Sequence, residues 1–140
     1  MAKKTLRTKV SDEYDFMLIG IVCQHKEYRL CHFLNQQLSI TLKRADDYEI
    51  MKPQNRQKLS FALYKYDPSG QPHYFLFANK TEGGILIPDH KNMDYFLMVK
   101  DYQNRVDDDV LLNAIKKIPL VLGAYAVQAD LLRSKENLVF

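Results

Sequence analysis

Residues 16–23 read Phe-Met-Leu-Ile-Gly-Ile-Val-Cys, an unbroken apolar run of strand length. A strand with one wet face alternates apolar and polar residues, so a run without alternation predicts a strand buried on both faces. The other long uncharged stretch, IPLVLGAYAVQA at 118–129, and this one both fall far short of the ~20 residues that a membrane span needs. No apolar segment follows Met1-Ala2-Lys3-Lys4 at signal-peptide distance. Two cysteines fit a reducing compartment with no disulfide framework, so the expectation is a soluble, cytoplasmic protein without a membrane partner.

Two segments switch from strand to helix periodicity. In 26–38, Leu30, Leu34 and Leu38 recur every four residues, with Cys31 and Phe33 alongside and polar residues opposite. In 106–118, Leu111, Ile115 and Ile118 make the stripe; Asp107, Asp108 and Asp109 occupy the first turn and Lys116-Lys117 the last. Both charge placements suit the helix dipole, and Pro119 stops the helix. The remaining patterned segments predict strands. Residues 5–10 alternate, 39–43 are short, and 59–66 with 73–79 form a hairpin about Asp67-Pro68-Ser69-Gly70. Further strands are predicted at 85–87 and 95–100. Residues 120–129 alternate as a strand does, although their alanines would tolerate a helix; the alternation favours a strand. The polar stretch 44–58, with Pro53 inside, reads as a long loop. At 140 residues the chain has the length of one domain. The expected architecture is a single α+β domain over 1–140, a mainly antiparallel sheet with two helices packed on one face.

Candidate chemistry is sparse. Cys23, His25, Cys31 and His32 are potential zinc ligands, but adjacent Cys31 and His32 on a helix point about 100° apart, which suits convergence poorly. The structural reading is two buried cysteines and two surface histidines. Asp107-Asp108-Asp109 suits a hard cation, yet also a helix cap with dipole partners, and the cap is the preferred reading. There is no G-x-S-x-G elbow, P-loop or G-x-G-x-x-G, so no cofactor and no metal is predicted. A net charge of +3 with dispersed Lys and Arg permits nucleic-acid contact without arguing for it. Phe61, Tyr64, Tyr66, Tyr74, Phe75 and Phe77 are a possible stacking platform for single-stranded bases or a patch for a protein partner, unless both sheet faces are covered.

The most distinctive stretch is IPDHKNMDYFL at 87–97. Pro88 cannot donate to a central ladder, and Asp89 and Asn92 can bond nearby amides, which together predict a sharp corner between strands. Alternatively Asp89, His90 and Asp94 could converge on a substrate, the histidine acting as a general base between carboxylates. The corner is the preferred reading. Ile87-Pro88-Asp89, three residues, then Met93-Asp94-Tyr95 resembles the signature of the IPExxxVDY family of small bacterial proteins. Ile87, Pro88, Asp94 and Tyr95 match; Asp89 stands where that family has Glu and Met93 where it has Val. The segments EYRLCHFLN and RSKENLVF resemble family elements too, so the likeness spans most of the chain. The resemblance implies no established activity, cofactor or catalytic residue. It draws attention to Pro88, Asp94, Tyr95 and the C-terminal SKENLVF. An Asp for a Glu withdraws the carboxylate by about an ångström, a displacement that costs a catalytic acid about a hundredfold and a turn residue little.

Three functional expectations follow. The leading one is a non-enzymatic protein acting through a protein partner or as a homo-oligomer. The others are a small enzyme using the Asp/His loop at 89–94, and a weak RNA or single-stranded nucleic-acid binder.

Overall fold

The computed structural model describes residues 16–70 and 72–138. The strand expected at 5–10 lies outside them. The apolar run forms β1 (Met17–Val22), which sits inside a sheet that is six-stranded and wholly antiparallel among the described residues. Its neighbours are β9 (Tyr95–Lys100) and β10 (Gly123–Val127), paired in registers that set Ile19 opposite both Leu97 and Ala126. Beyond β9 come β6 (His73–Ala78), β5 (Leu63–Tyr66) and the two-residue β2 (Lys43–Arg44) at the far edge. The protein is an α+β fold, and among the described residues two helices, α1 (Glu27–Leu38) and α2 (Asp108–Lys116), lie against one sheet face.

Side-chain alternation explains both faces. Ile19, Ile21, Leu97, Val99 and Leu76 meet Leu30 and Leu34 of α1 and Leu111 and Ile115 of α2. Leu18, Phe96, Met98, Phe75 and Phe77 point the other way, against Leu59, Phe61, Leu86, Ile87, Ala129, Leu132 and Leu138. A layer of short hairpins and the C-terminal segment therefore covers the second face, and the continuous apolar pattern of β1 is accounted for. Ser39 ends α1 in a left-handed conformation (φ 55°), and Asn35 then holds Leu42 by both backbone groups, at 2.7 and 3.2 Å, which steers the chain toward β2. Asp107 caps α2, accepting from the amides of Asp109 and Val110.

Four expectations need correction; of the strand expected at 39–43, only Lys43 lies in a strand, β2. The stretch 44–58 is not a loop throughout: β3 (Tyr48–Met51) pairs with β4 (Lys58–Phe61). Tyr48 and Ile50 are half-buried on the second face, and the intervening charged residues mask that short alternation. The segment 59–66 is not one strand but two. Leu59, Phe61 and Leu63 keep one parity, yet β4 pairs with β3 whereas β5 pairs with β6. Alternation reports facing and says nothing of which neighbour is paired. Of the expected strand at 85–87, only Ile85 is in β8 (Gly84–Ile85), which pairs with β7 (Lys80–Thr81); Leu86 and Ile87 turn inward and are fully buried.

The helix layer makes a direct prediction. Leu34 is fully buried under the sheet, whereas Val110 on α2 is 67% exposed. Leu34→Ala should lower unfolding stability by about 2–5 kcal/mol, and Val110→Ala should change it by less than about 0.5 kcal/mol, both read from urea midpoints.

Candidate functional site

The signature stretch leaves the second-face layer and enters β9, and its geometry is organised by a residue outside it. Asn79 follows β6, on the parity of Phe75 and Phe77, and is completely buried. Its side-chain nitrogen donates to the carbonyls of His90 (3.1 Å) and Met93 (2.9 Å), and its oxygen accepts from the amide of Ile87 (2.8 Å). Its backbone amide donates to the Asp94 carbonyl (2.9 Å) and its carbonyl accepts from Leu86 (2.8 Å). One amide side chain therefore pairs three main-chain groups of the corner, which would be costly if buried unpaired.

Pro88 is exposed and opens a 3-10 turn, Pro88–His90, where its missing N–H is no loss. Asp89 faces the C-terminal segment. Its carboxylate accepts from the amides of Arg133 (2.7 Å) and Ser134 (3.2 Å) and from the Ser134 hydroxyl (2.6 Å). Partial burial by itself would raise the Asp89 pKa, but the Ser134 hydroxyl and the two amides outweigh it and hold the group below its ordinary value. Asn137 adds a bond to the Leu86 carbonyl (2.8 Å), and its own carbonyl accepts from the Tyr48 hydroxyl.

Asp94 and Tyr95 face the opposite way along the chain. Asp94 accepts from the amide of Cys23 (2.9 Å) and pairs with Lys80 (3.0 Å), while its own amide donates to the Ile21 carbonyl (2.9 Å). The Tyr95 hydroxyl donates to the His25 carbonyl (2.6 Å). Burial pushes the Tyr95 phenol well above its ordinary pKa, so the proton stays in that bond. Together these two residues fix the turn from β1 into α1. Met93 reaches across to β1, where a Cβ on Gly20 would sit 2.8 Å from its sulfur; the absence of a side chain at position 20 makes room for it.

The two carboxylates thus serve different main-chain clients, and the His90 ring makes no hydrogen bond among the described residues. Asp89, His90 and Asp94 are not drawn onto a common centre. A cavity of about 210 Å³ lies elsewhere, lined by His73, Asp101, Tyr102 and Arg105 among others, at the opposite ends of β6 and β9. Asp101 there is engaged by the amides of Arg105 and Val106.

The other candidates resolve structurally. Burial pushes the Cys23 thiol up, and Cys31 lies against the Leu42 carbonyl at 3.6 Å. Among the described residues, no three His, Cys, Asp or Glu side chains are grouped to hold a metal ion. Of the aromatic platform, Phe61, Tyr64, Tyr74, Phe75 and Phe77 are all buried, and Tyr66 is half-buried. The rings are core because both faces of the sheet are covered. Among the described residues, no helix is long and apolar enough to cross a membrane. Sequence reasoning missed Asn79; the available signal was its place in the 75, 77, 79 alternation, which predicts an inward-facing polar group. A scan of protein-family models finds none that matches the chain, and a search of curated proteins finds no match.

Two predictions follow from the bonding. Asn79→Ala should cost about 3 kcal/mol in urea unfolding, because one amide and two carbonyls lose their partner. Asn79→Asp should cost more, since a carboxylate would then face two carbonyl oxygens. Asp89 has a folded-state pKa below its ordinary 3.8. Its stabilisation is therefore present at neutral pH and is lost as pH falls through the acid range. The stability difference between wild type and Asp89→Asn should be largest above about pH 5 and shrink below about pH 3. It should stay modest throughout because the group is exposed to solvent.

Proposed function

We propose that this protein is a non-enzymatic cytoplasmic interaction module that works through a protein contact, and that its resemblance to the IPExxxVDY family reflects a shared structural corner rather than a shared reaction. One observation carries this reading. The carboxylates of Asp89 and Asp94 and the hydroxyl of Tyr95 are engaged internally, while several large apolar side chains elsewhere are exposed. Leu122 (66% exposed), Tyr125 (53%) and Leu131 (71%) lie on or beside β10. Large apolar side chains left in water have a cost that a protein contact removes.

The reading assigns the signature a positional role. Pro88, Asp89, Asp94 and Tyr95 hold the C-terminal segment and the β1–α1 turn in place, and Asp89 for Glu is a change that such a role tolerates.

The full-length chain should travel as an assembly larger than a monomer on native size separation, either alone at micromolar concentration or in lysate of its own cells. Leu131→Glu should shift it toward the monomer with a stability change below about 0.5 kcal/mol. A chain that stays monomeric in both settings, or an assembly indifferent to Leu131→Glu, counts against the reading.

A further inference from the structure

The second sheet face is covered by two kinds of chain. Leu59 and Phe61 lie in β4, whose backbone is paired with β3. Ala129, Leu132 and Leu138 lie in the segment 129–138, which consists of two 3-10 turns, Ala129–Leu131 and Lys135–Asn137, and the residues that join and follow them. Three-residue 3-10 turns have poor hydrogen-bond geometry and little stability of their own. Among the described residues, the main-chain hydrogen bonds of this segment close locally: Leu131 to Gln128, Leu132 to Ala129, Lys135 to Leu132, Asn137 to Ser134 and Leu138 to Lys135. Side chains attach it to the rest of the protein.

The polar part of that attachment is concentrated at one group. The Asp89 carboxylate accepts from the amides of Arg133 and Ser134 and from the Ser134 hydroxyl. Asn137 adds its bond to the Leu86 carbonyl and accepts from the Tyr48 hydroxyl. The apolar part is sparse. Ala129, Leu132 and Leu138 are buried, whereas Leu131, Arg133 and Glu136 are exposed. The gain from so few buried side chains is set against the conformational entropy lost in ordering the whole segment. Stretches with few buried contacts and no ladder are those that open while the rest of a fold stays closed.

We propose that residues 129–138 form a strap that opens and closes as one unit over a folded sheet, and that the Asp89 carboxylate is its latch. Arg133 and Ser134 lie between the two 3-10 turns, so the latch grips the strap near its middle and its release frees both turns together. The hinge is Gln128, which follows the last residue of β10 paired with β1, Val127. In the open form β10 keeps its pairing, and the second-face cluster loses the cover of Leu132 and Leu138. The other carboxylate of the corner, Asp94, bonds to the Cys23 amide and to Lys80 and touches no part of the strap. The strap needs no partner, and its opening stands or falls apart from the interaction reading above.

Native-state hydrogen exchange of the full-length chain, read by NMR over a series of urea concentrations below the unfolding transition, tests this. The amides of Leu132 and Leu138 are the probes, because their acceptors are local carbonyls and not Asp89. Both should be at least about tenfold less protected than the amides of Phe96 and Leu97 in the central strand β9. Their opening should respond little to urea, since it exposes little surface, while the β9 amides accelerate steeply. Asp89→Ala should speed exchange at both probes by about fivefold or more, and Asp94→Asn should leave them unchanged. Leu34→Ala, in the helix layer, should speed the β9 amides and leave the probes alone; if it fails to fold, the urea series on the wild type decides the same point. The proposal is overturned if Leu132 and Leu138 share the protection and urea response of β9. It is overturned equally if Asp89→Ala leaves them unchanged, or if it speeds one of them without the other.

Discussion

The buried side chain of Asn79 is the interaction on which the second face of this protein depends. A corner that leaves one layer and enters a central strand exposes main-chain groups at the point where they are hardest to hydrate. Here the Ile87 amide and the His90 and Met93 carbonyls are the groups at risk, and one amide side chain pairs all three. No aliphatic residue of that size could do so. With the corner fixed, Asp89 and Leu86 present bonding groups to the C-terminal segment on one side. On the other, Asp94 and Tyr95 present theirs to the end of β1 and the turn after it. Segments far apart in sequence converge on one stretch of chain. The stretch IPDHKNMDY is thereby bonded to both.

The same convergence explains the aromatic strands. Phe61, Phe77 and Phe96 are fully buried, and the rings of Phe77 and Phe96 stack at 5.8 Å. Large rings suit a sheet covered on both faces, because each buries much area at the cost of few rotatable bonds. Leu59 and Phe61 of β4, Leu86 and Ile87 before the corner, and Leu132 and Leu138 near the C-terminus form the cover. An aromatic-rich strand is therefore a poor guide to a stacking surface until its cover is known.

Part of what the core leaves exposed is at the sheet's margin. β2 is short and basic, whereas β10 is uncharged with Leu122 and Tyr125 in water. An edge strand offers its unpaired backbone groups to any strand that arrives, so side-chain charge and length decide whether that offer is taken up. Among the described residues the two edges differ on both counts.

Local pattern alone determined a good deal. The unbroken run at 16–23 required a strand covered on both faces. The four-residue leucine spacing in α1 and the Asp-to-Lys polarity of α2 defined both helices to within two residues at each end. The alternation in β9 placed Tyr95, Leu97 and Val99 on one face, which the structure turns toward the helices. All of these depend on neighbours within one turn or one strand, where side-chain periodicity and backbone geometry are directly linked. Only the tertiary structure decided the rest. It broke 59–66 into strands of two sheets, found β3 inside a charged stretch, and assigned Asp89 to Arg133 and Ser134 and Asp94 to Cys23. It also turned five of six aromatic residues from a possible platform into core, with Tyr66 half-buried against it. Those outcomes turn on which distant segments meet, and pairing across 45 or 71 residues of chain leaves no periodicity in either partner for a sequence to display.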